Sequence, residues 1–220
     1  MQAGLPKQYL SLHGRPILAH TLERLCTHAR VQGVMVGIAP DDDHWRGQAP
    51  DWAHFARLLG TYAGGVTRAH TVLNGLAALG GHVRADDWVL VHDAVRPCVR
   101  SSDIDRLIAA VEHSEHGGLL ALPMADTVKR ADEQECVVET VPRARVWRAR
   151  TPQMFRFDIR RNALQQALAQ DIEITDEAMA IELAGGRPRL VAGHPDNIKI
   201  TLPGDLALAE LFLSQQAGTA

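Results

Sequence analysis

Lysine is scarce in this chain, and the scarcity singles out three positions. Of 23 basic residues, 20 are arginine and only Lys7, Lys129 and Lys199 are lysine. A lysine carries a compact point charge on a flexible stem, which the planar arginine fork cannot imitate. The bland alternative is a compositional bias towards arginine with three accidental survivors. The net charge is only -3, so nothing pulls the whole molecule towards nucleic acid or a membrane surface. Any anionic ligand must be held by a local cluster of cations.

Six polar clusters could do that work. They are Pro6-Lys7-Gln8-Tyr9-Leu10, Gly64-Gly65 with Arg68 and Thr71, His92-Asp93-Ala94-Val95-Arg96-Pro97, Thr151-Pro152-Gln153, Ile174-Thr175-Asp176-Glu177-Ala178, and Asp196-Asn197-Ile198-Lys199-Ile200-Thr201. Each has an ordinary reading as well. Paired glycines are more often a turn than a phosphate cradle. His92 reads more readily as a satisfied core histidine than as a ligand, and Asp93 could cap a loop. Asp176 and Glu177 could simply complement the dipole at a helix start. Arg143, Arg145, Arg148 and Arg150 could be a solvated face. Singly, none of the six identifies an enzyme.

The elements between the clusters alternate. Helical spacing is read for Ile17 to Arg30, Asp51 to Leu59, Arg68 to Leu79, Asp103 to His113 with Ser102 as N-cap, Asp158 to Ala169, Asp176 to Ala184 and Leu206 to Leu213. Short apolar runs at Val34 to Ile38, Trp88 to His92, Gly118 to Leu122, Arg189 to Val191 and Ile198 to Ile200 read as strands. Asp126 to Arg148 has no helical period and reads as an extended arm. Strands alternating with helices predict an α/β domain over residues 1–220, a mainly parallel sheet covered on both faces. Ligands of such sheets bind beyond the carboxyl ends of the strands, where the clusters are expected to fall.

The chain has 220 residues, 46% hydrophobic and 22% charged, as one compact domain requires. No apolar run reaches the roughly 18 residues of a membrane span, and no secretory signal opens the chain. Cys26, Cys98 and Cys136 are scattered and form no C-x-x-C. A disulfide framework or zinc site is not expected, and a reducing cytoplasm is the natural compartment.

In their order and spacing, PKQYL, HDAVRP, DTVKR, TPQMF, ITDEA and DNIKIT resemble the signatures of the 2-C-methyl-D-erythritol 4-phosphate cytidylyltransferase family. The resemblance runs from Pro6 to about Phe212. It implies a Rossmann-like sheet, a homodimer formed through a β-arm at about 126–148, and transfer of the cytidylyl group of CTP to a polyol phosphate, with magnesium on the nucleotide phosphates. No nucleic-acid or membrane partner is implied. By the same resemblance Lys7 stabilises the α-phosphate and its leaving group, and Arg143 and Lys199 fix the attacking phosphate. Asp93, Ala94, Thr127 and Thr175 meet the substrate, with Thr127 and Arg143 supplied by the neighbouring subunit. Gly65, Arg68 and Thr71 border cytosine and ribose, and Lys129 is left without a role.

Two departures from the family pattern stand out. The family opens with a strand near the middle of the sheet and a glycine-rich loop of roughly P-A-A-G-x-G-x-R-M type, whose amides cradle phosphates. Met1 falls about where that final methionine would be, so strand, loop and loop arginine are expected to be missing from this sequence. Val66-Thr67 stands where an acidic residue usually follows the paired glycines. The alternatives left open are a ribitol 5-phosphate cytidylyltransferase and an inactive relative.

Overall fold

The computed structural model of the chain describes residues 5–48 and 52–218. Lys7–Tyr9 form one 3₁₀ turn, and β1 (Ser11–Leu12) pairs with β2 (Arg15–Pro16) to reverse the chain into α1 (Ile17–Cys26). Helix α1 buries Ile17, Leu18, Thr21, Leu22 and Cys26, the stripe that its spacing predicts. Full burial of each large side chain contributes about 1.5–3 kcal/mol. The helix stops short of Arg30: Thr27, its C-cap, still makes the i→i−4 bond to Glu23 O at 3.0 Å, but the next amide, His28, reaches only three residues back, to Leu25 O at 3.3 Å.

After β3 (Val34–Ile38), Asp42 caps α2 (Asp43–Gly47) by accepting the Trp45 amide at 3.1 Å. The helix expected over residues 51–59 does not run that far: Asp51 lies outside the described residues, Trp52 is helical, and after the turns that follow it Leu58 begins β4 (Leu58–Ala63), which runs parallel to β3. The reason is packing that no periodicity announces. Tyr62 of β4 presses so closely on α3 (Arg68–Leu79) that a Cβ at Gly75 would meet its ring at 2.6 Å.

Strand β5 (Trp88–Val91) leads to α4 (Ser101–Val111), which begins one residue before the expected cap. Ser102 therefore lies inside the helix; Arg100 is at the cap position and makes no side-chain cap bond. Strand β6 (Gly118–Pro123) is followed by the hairpin β7 (Val128–Ala131) and β8 (Val137–Val141), which is the expected arm. Val137 and Val138 are 63% and 62% exposed on it. Lys129 donates to Thr140 across the hairpin at 2.7 Å, so it serves the arm's own pairing.

The chain then returns to the sheet through β9 (Trp147–Arg156), continues into α5 (Phe157–Ala169) and α6 (Glu177–Leu183), and ends with β10 (Arg189–Ala192) and α7 (Pro203–Ala217). Four strands form a sheet in the order β10-β6-β9-β5. Strands β10, β6 and β5 share one direction and β9 opposes them. Alternate residues feed two cores. Val89, Leu119 and Phe155 pack under α3, α5 and α6, while Leu90, Leu120 and Met154 pack under α4. Ile198 to Ile200 joins no ladder; the Ile200 amide donates to Val95 O at 2.9 Å.

The parallel pair β3–β4 is not joined to the four-stranded sheet. Between β3 and β5 runs a cavity of about 960 Å³. Its strand walls are Val34 to Gly37 and Trp88 to Val91, and α1 and α3 contribute Leu18, Leu22, Val72 and Leu76. Its polar lining includes Lys7, Arg68, Asp93 and Lys199.

Candidate active site

Asp93 follows directly on β5 and is the centre of the polar lining. Its carboxylate, 12% exposed, accepts from Arg96 Nε at 3.0 Å through Oδ2 and faces Lys199 Nζ at 3.2 Å through the same oxygen. Oδ1 faces Arg68 Nη2 at 3.6 Å. Burial alone would push this carboxyl up, but Lys199, Arg96 and Arg68 together hold it below its ordinary range.

The loop carrying Asp93 is locked from two directions. The cluster Thr151-Pro152-Gln153 does not end a strand, as expected, but lies inside β9. Leu119 is opposite Gln153 and Ala121 opposite Ala149, so the residues between bulge out of the ladder. Proline has no amide to give a ladder, and a bulge re-aims the side chains beside it. Here Thr151 Oγ1 is turned to accept the Asp93 amide at 3.1 Å and to meet His92 Nδ1 at 3.0 Å. His92 Nε2 lies 3.1 Å from the Arg96 carbonyl, which can only accept, so Nε2 carries the proton and Nδ1 takes the threonine hydroxyl. Burial lowers the His92 pKa to about 4, and the ring is neutral. Both ring nitrogens are engaged, so His92 is a satisfied structural histidine and not a base.

Arg96 and Asn197 tie this loop to the last cluster. Arg96 Nη1 donates to Asn197 O at 3.0 Å, and Asn197 Nδ2 donates to Thr151 O at 2.9 Å. Lys199 is thereby aimed at Asp93. Lys7 donates to Thr201 O at 3.1 Å, which places both lysines along the same cavity.

The remaining candidates divide. Thr175 is exposed, two residues before Glu177, and Ala94 accepts from Thr21 Oγ1 at 2.8 Å. Gly64-Gly65 forms a turn against α3. A Cβ on Gly65 would meet His70 Cβ at 2.4 Å, and the Gly65 amide already donates to Thr71 Oγ1 at 2.9 Å. Val66 behind it is 92% exposed. Arg68 is engaged by Glu177 in a two-pronged pair of 2.6 and 3.1 Å. Arg143 donates to the Ala125 carbonyl at the base of the arm. Neither it nor Thr127 belongs to the cluster around this chain's Asp93.

Arg96, Thr151, Gln153, Glu177 and Asn197 were not singled out by the sequence reading. All lie within motifs quoted for the resemblance, but their partners lie in other motifs. Gln153 is the clearest case: Nε2 donates to Asp176 and Oε1 accepts the Ala178 amide, each at 2.9 Å, pinning the start of α6 to β9. Asp176 also accepts the Met179 amide at 2.9 Å, so it is the N-cap of α6 and not the expected first-turn acid.

Three cations, Arg68, Arg96 and Lys199, thus surround Asp93, Arg68 also pairs with Glu177, and Lys7 lines the same cavity. Such a site can hold and orient anions and hydrogen-bond hydroxyls.

Comparison with known proteins agrees with this geometry. Residues 1–215 match the family model for 2-C-methyl-D-erythritol 4-phosphate cytidylyltransferase. The enzyme of that name from Haemophilus influenzae (strain PittGG) is 46% identical over 98% of this chain and 91% of its own length. That from Tolumonas auensis is 50% identical over 98% and 92%. Among solved structures, a 4-diphosphocytidyl-2C-methyl-D-erythritol synthase superposes with a TM-score of 0.84 at 37% identity, covering 94% of this chain and 95% of that one. The Francisella tularensis cytidylyltransferase gives 0.84 at 32% identity, covering 94% and 93%. With motifs, fold and relatives in agreement, this chain belongs to the 2-C-methyl-D-erythritol 4-phosphate cytidylyltransferase family.

Proposed function

We propose that this chain transfers the cytidylyl group of CTP to 2-C-methyl-D-erythritol 4-phosphate, giving 4-diphosphocytidyl-2-C-methyl-D-erythritol and pyrophosphate. The observation that carries the reading is the gathering of Arg68, Arg96 and Lys199 on Asp93, at a cavity that Lys7 also lines. The acceptor's phosphate oxygen attacks the α-phosphorus of CTP, and the bond from that phosphorus to the bridging oxygen of pyrophosphate breaks. The nucleophile is already ionised, so no side chain need take a proton. What opposes the reaction is repulsion between anions, and positioned cations answer it.

In this scheme Lys7 meets the charge growing on the α-phosphate and leaving group, and Lys199 fixes the attacking phosphate. Asp93 accepts hydroxyls of the polyol beside Ala94, and Thr175 adds a donor. Gly65, Arg68 and Thr71 border the nucleoside. Arg143 and Thr127, outlying in their own chain, would complete the site of a second copy through the arm, making the enzyme a homodimer.

Magnesium is proposed to enter on the triphosphate. Asp93 is already bound by Arg96 and Lys199, which makes it a poor direct ligand, and magnesium is commonly held through substrate phosphates and water. Bound there, it would neutralise phosphate charge. Among the described residues no helix is long and apolar enough to cross a membrane, and Cys26, Cys98 and Cys136 are free thiols; we place the enzyme in the cytoplasm.

The test is pyrophosphate release from CTP with 2-C-methyl-D-erythritol 4-phosphate, with ribitol 5-phosphate as the control acceptor. It is run on this chain and on a form extended at its N-terminus by a strand and a glycine-rich loop of the family pattern. Turnover with methylerythritol phosphate in either form supports the reading. A folded longer form that is silent, or that prefers ribitol phosphate, overturns it.

A further inference from the structure

Glu177 is the most deeply buried carboxylate near the site, its side chain only 1% exposed. A helix start needs no such burial: Asp176 already caps α6, and an acidic residue complementing the dipole works from the surface. What Glu177 does contact is Arg68. Its two oxygens take Nη1 at 2.6 Å and Nη2 at 3.1 Å, the parallel geometry in which arginine binds a carboxylate most strongly.

The consequence lies on the other side of the guanidinium. Nη2, already donating to Glu177, stands 3.6 Å from Asp93 Oδ1, beyond a hydrogen bond. Asp93 Oδ2 is taken by Arg96 and Lys199. Oδ1 is therefore the oxygen left to accept a ligand hydroxyl, and its full acceptor capacity is open only while Arg68 is held back.

We infer that Glu177 is a positioning residue that restrains Arg68, keeping Asp93 Oδ1 open for a hydroxyl of the polyol phosphate. The role rests on the cytidylyltransferase reading for its substrate, but not for its geometry. Without the Glu177 charge, Arg68 is left with Asp93 and Asp176, and both Asp176 oxygens are already engaged, by Gln153 and by the Met179 amide. It closes on Asp93 Oδ1 and competes there with the substrate hydroxyl.

Two measurements test this separately. The first is the crystal structure of the Glu177→Gln chain, in which Arg68 is expected to contact Asp93 Oδ1 within hydrogen-bond distance. The second is calorimetric affinity for 2-C-methyl-D-erythritol 4-phosphate. Glu177→Gln should weaken it about tenfold or more, the scale of one lost hydrogen bond to a charged group. The double variant Arg68→Gln with Glu177→Gln should bind within about twofold of Arg68→Gln alone, because with Arg68 gone Glu177 has nothing left to restrain. A merely structural glutamate would cost the same affinity in either background.

Should Glu177→Gln fail to fold, the double variant still decides: affinity equal to that of Arg68→Gln alone supports the inference, and a tenfold loss relative to Arg68→Gln overturns it. An unmoved Arg68 in the single variant also overturns it. Absence of binding by the wild-type chain would count against the substrate reading, while the position of Arg68 in the variant crystal would still decide the role of Glu177.

Discussion

Lys199 Nζ lies 3.2 Å from Asp93 Oδ2, a pair joining the loop after β5 to the segment before α7. Neither residue is a free reagent. Asp93 is held by Arg96 from within its own loop, and Asn197, two residues before Lys199, anchors that segment to Thr151 in the β9 bulge. The site is a charge balance fixed by backbone contacts, and the following outcomes depend on it.

Replacing Lys7 by alanine removes the cation proposed to meet the charge that grows only in the transition state. Turnover should fall by roughly 10²–10³-fold while affinity for CTP changes much less. Steady-state and single-turnover kinetics of pyrophosphate release check this. An unchanged turnover number would remove Lys7 from the mechanism.

Arg143→Ala should raise the Michaelis constant for the phosphate acceptor, although the residue is remote from its own chain's cluster. Mixed dimers of Arg143→Ala with Lys7→Ala should regain part of the activity, because one of the two sites then carries both native residues. Mixing that recovers nothing would argue against a site shared through the arm.

His92 makes stability depend on pH. Its pKa falls from an ordinary 6.5 to about 4 because burial disfavours the charged ring. The unfolded chain therefore binds a proton first as pH drops. The stabilisation from a neutral His92 is fully present above about pH 6.5 and lost progressively down to about pH 4, a change of about 2–3 kcal/mol. Urea unfolding across that window should show the loss in the wild type and a flatter profile in His92→Gln. Parallel profiles would refute the assignment.

Gly65→Ala should destabilise the fold by about 1–3 kcal/mol, the usual penalty for forcing atoms into a packed place. The new Cβ would meet His70 Cβ at 2.4 Å and the Thr71 amide at 3.0 Å, disturbing the first turn of α3 where Arg68 begins. Thermal unfolding measures this directly. A melting temperature equal to wild type would show that the turn yields without cost.

Much of this protein was legible before any coordinates. The order of six motifs carried the family, and periodicity located α3, β5, β6 and α6 to within a residue or two. These features are local: a stripe every three or four positions and a cap beside its helix depend on neighbours along the chain. The two lysines that line the cavity were legible as well, because their rarity is a property of composition.

Tertiary structure decided the rest. Strand β4 overlaps only the end of an expected helix and runs on into residues given no element, and β9 lies across an expected arm and loop, because a strand's hydrogen-bond partners lie elsewhere in the sequence. Thr151 faces Asp93 only because β9 bulges opposite β6. Glu177 reads as an ordinary helix-start acid until α6 is docked on β9 by Gln153, which buries its carboxylate against Arg68. The motifs named the ingredients of the site; long-range pairing chose which cation faces which carboxylate, because charge energies depend on distance and burial, and neither is a property of a sequence position.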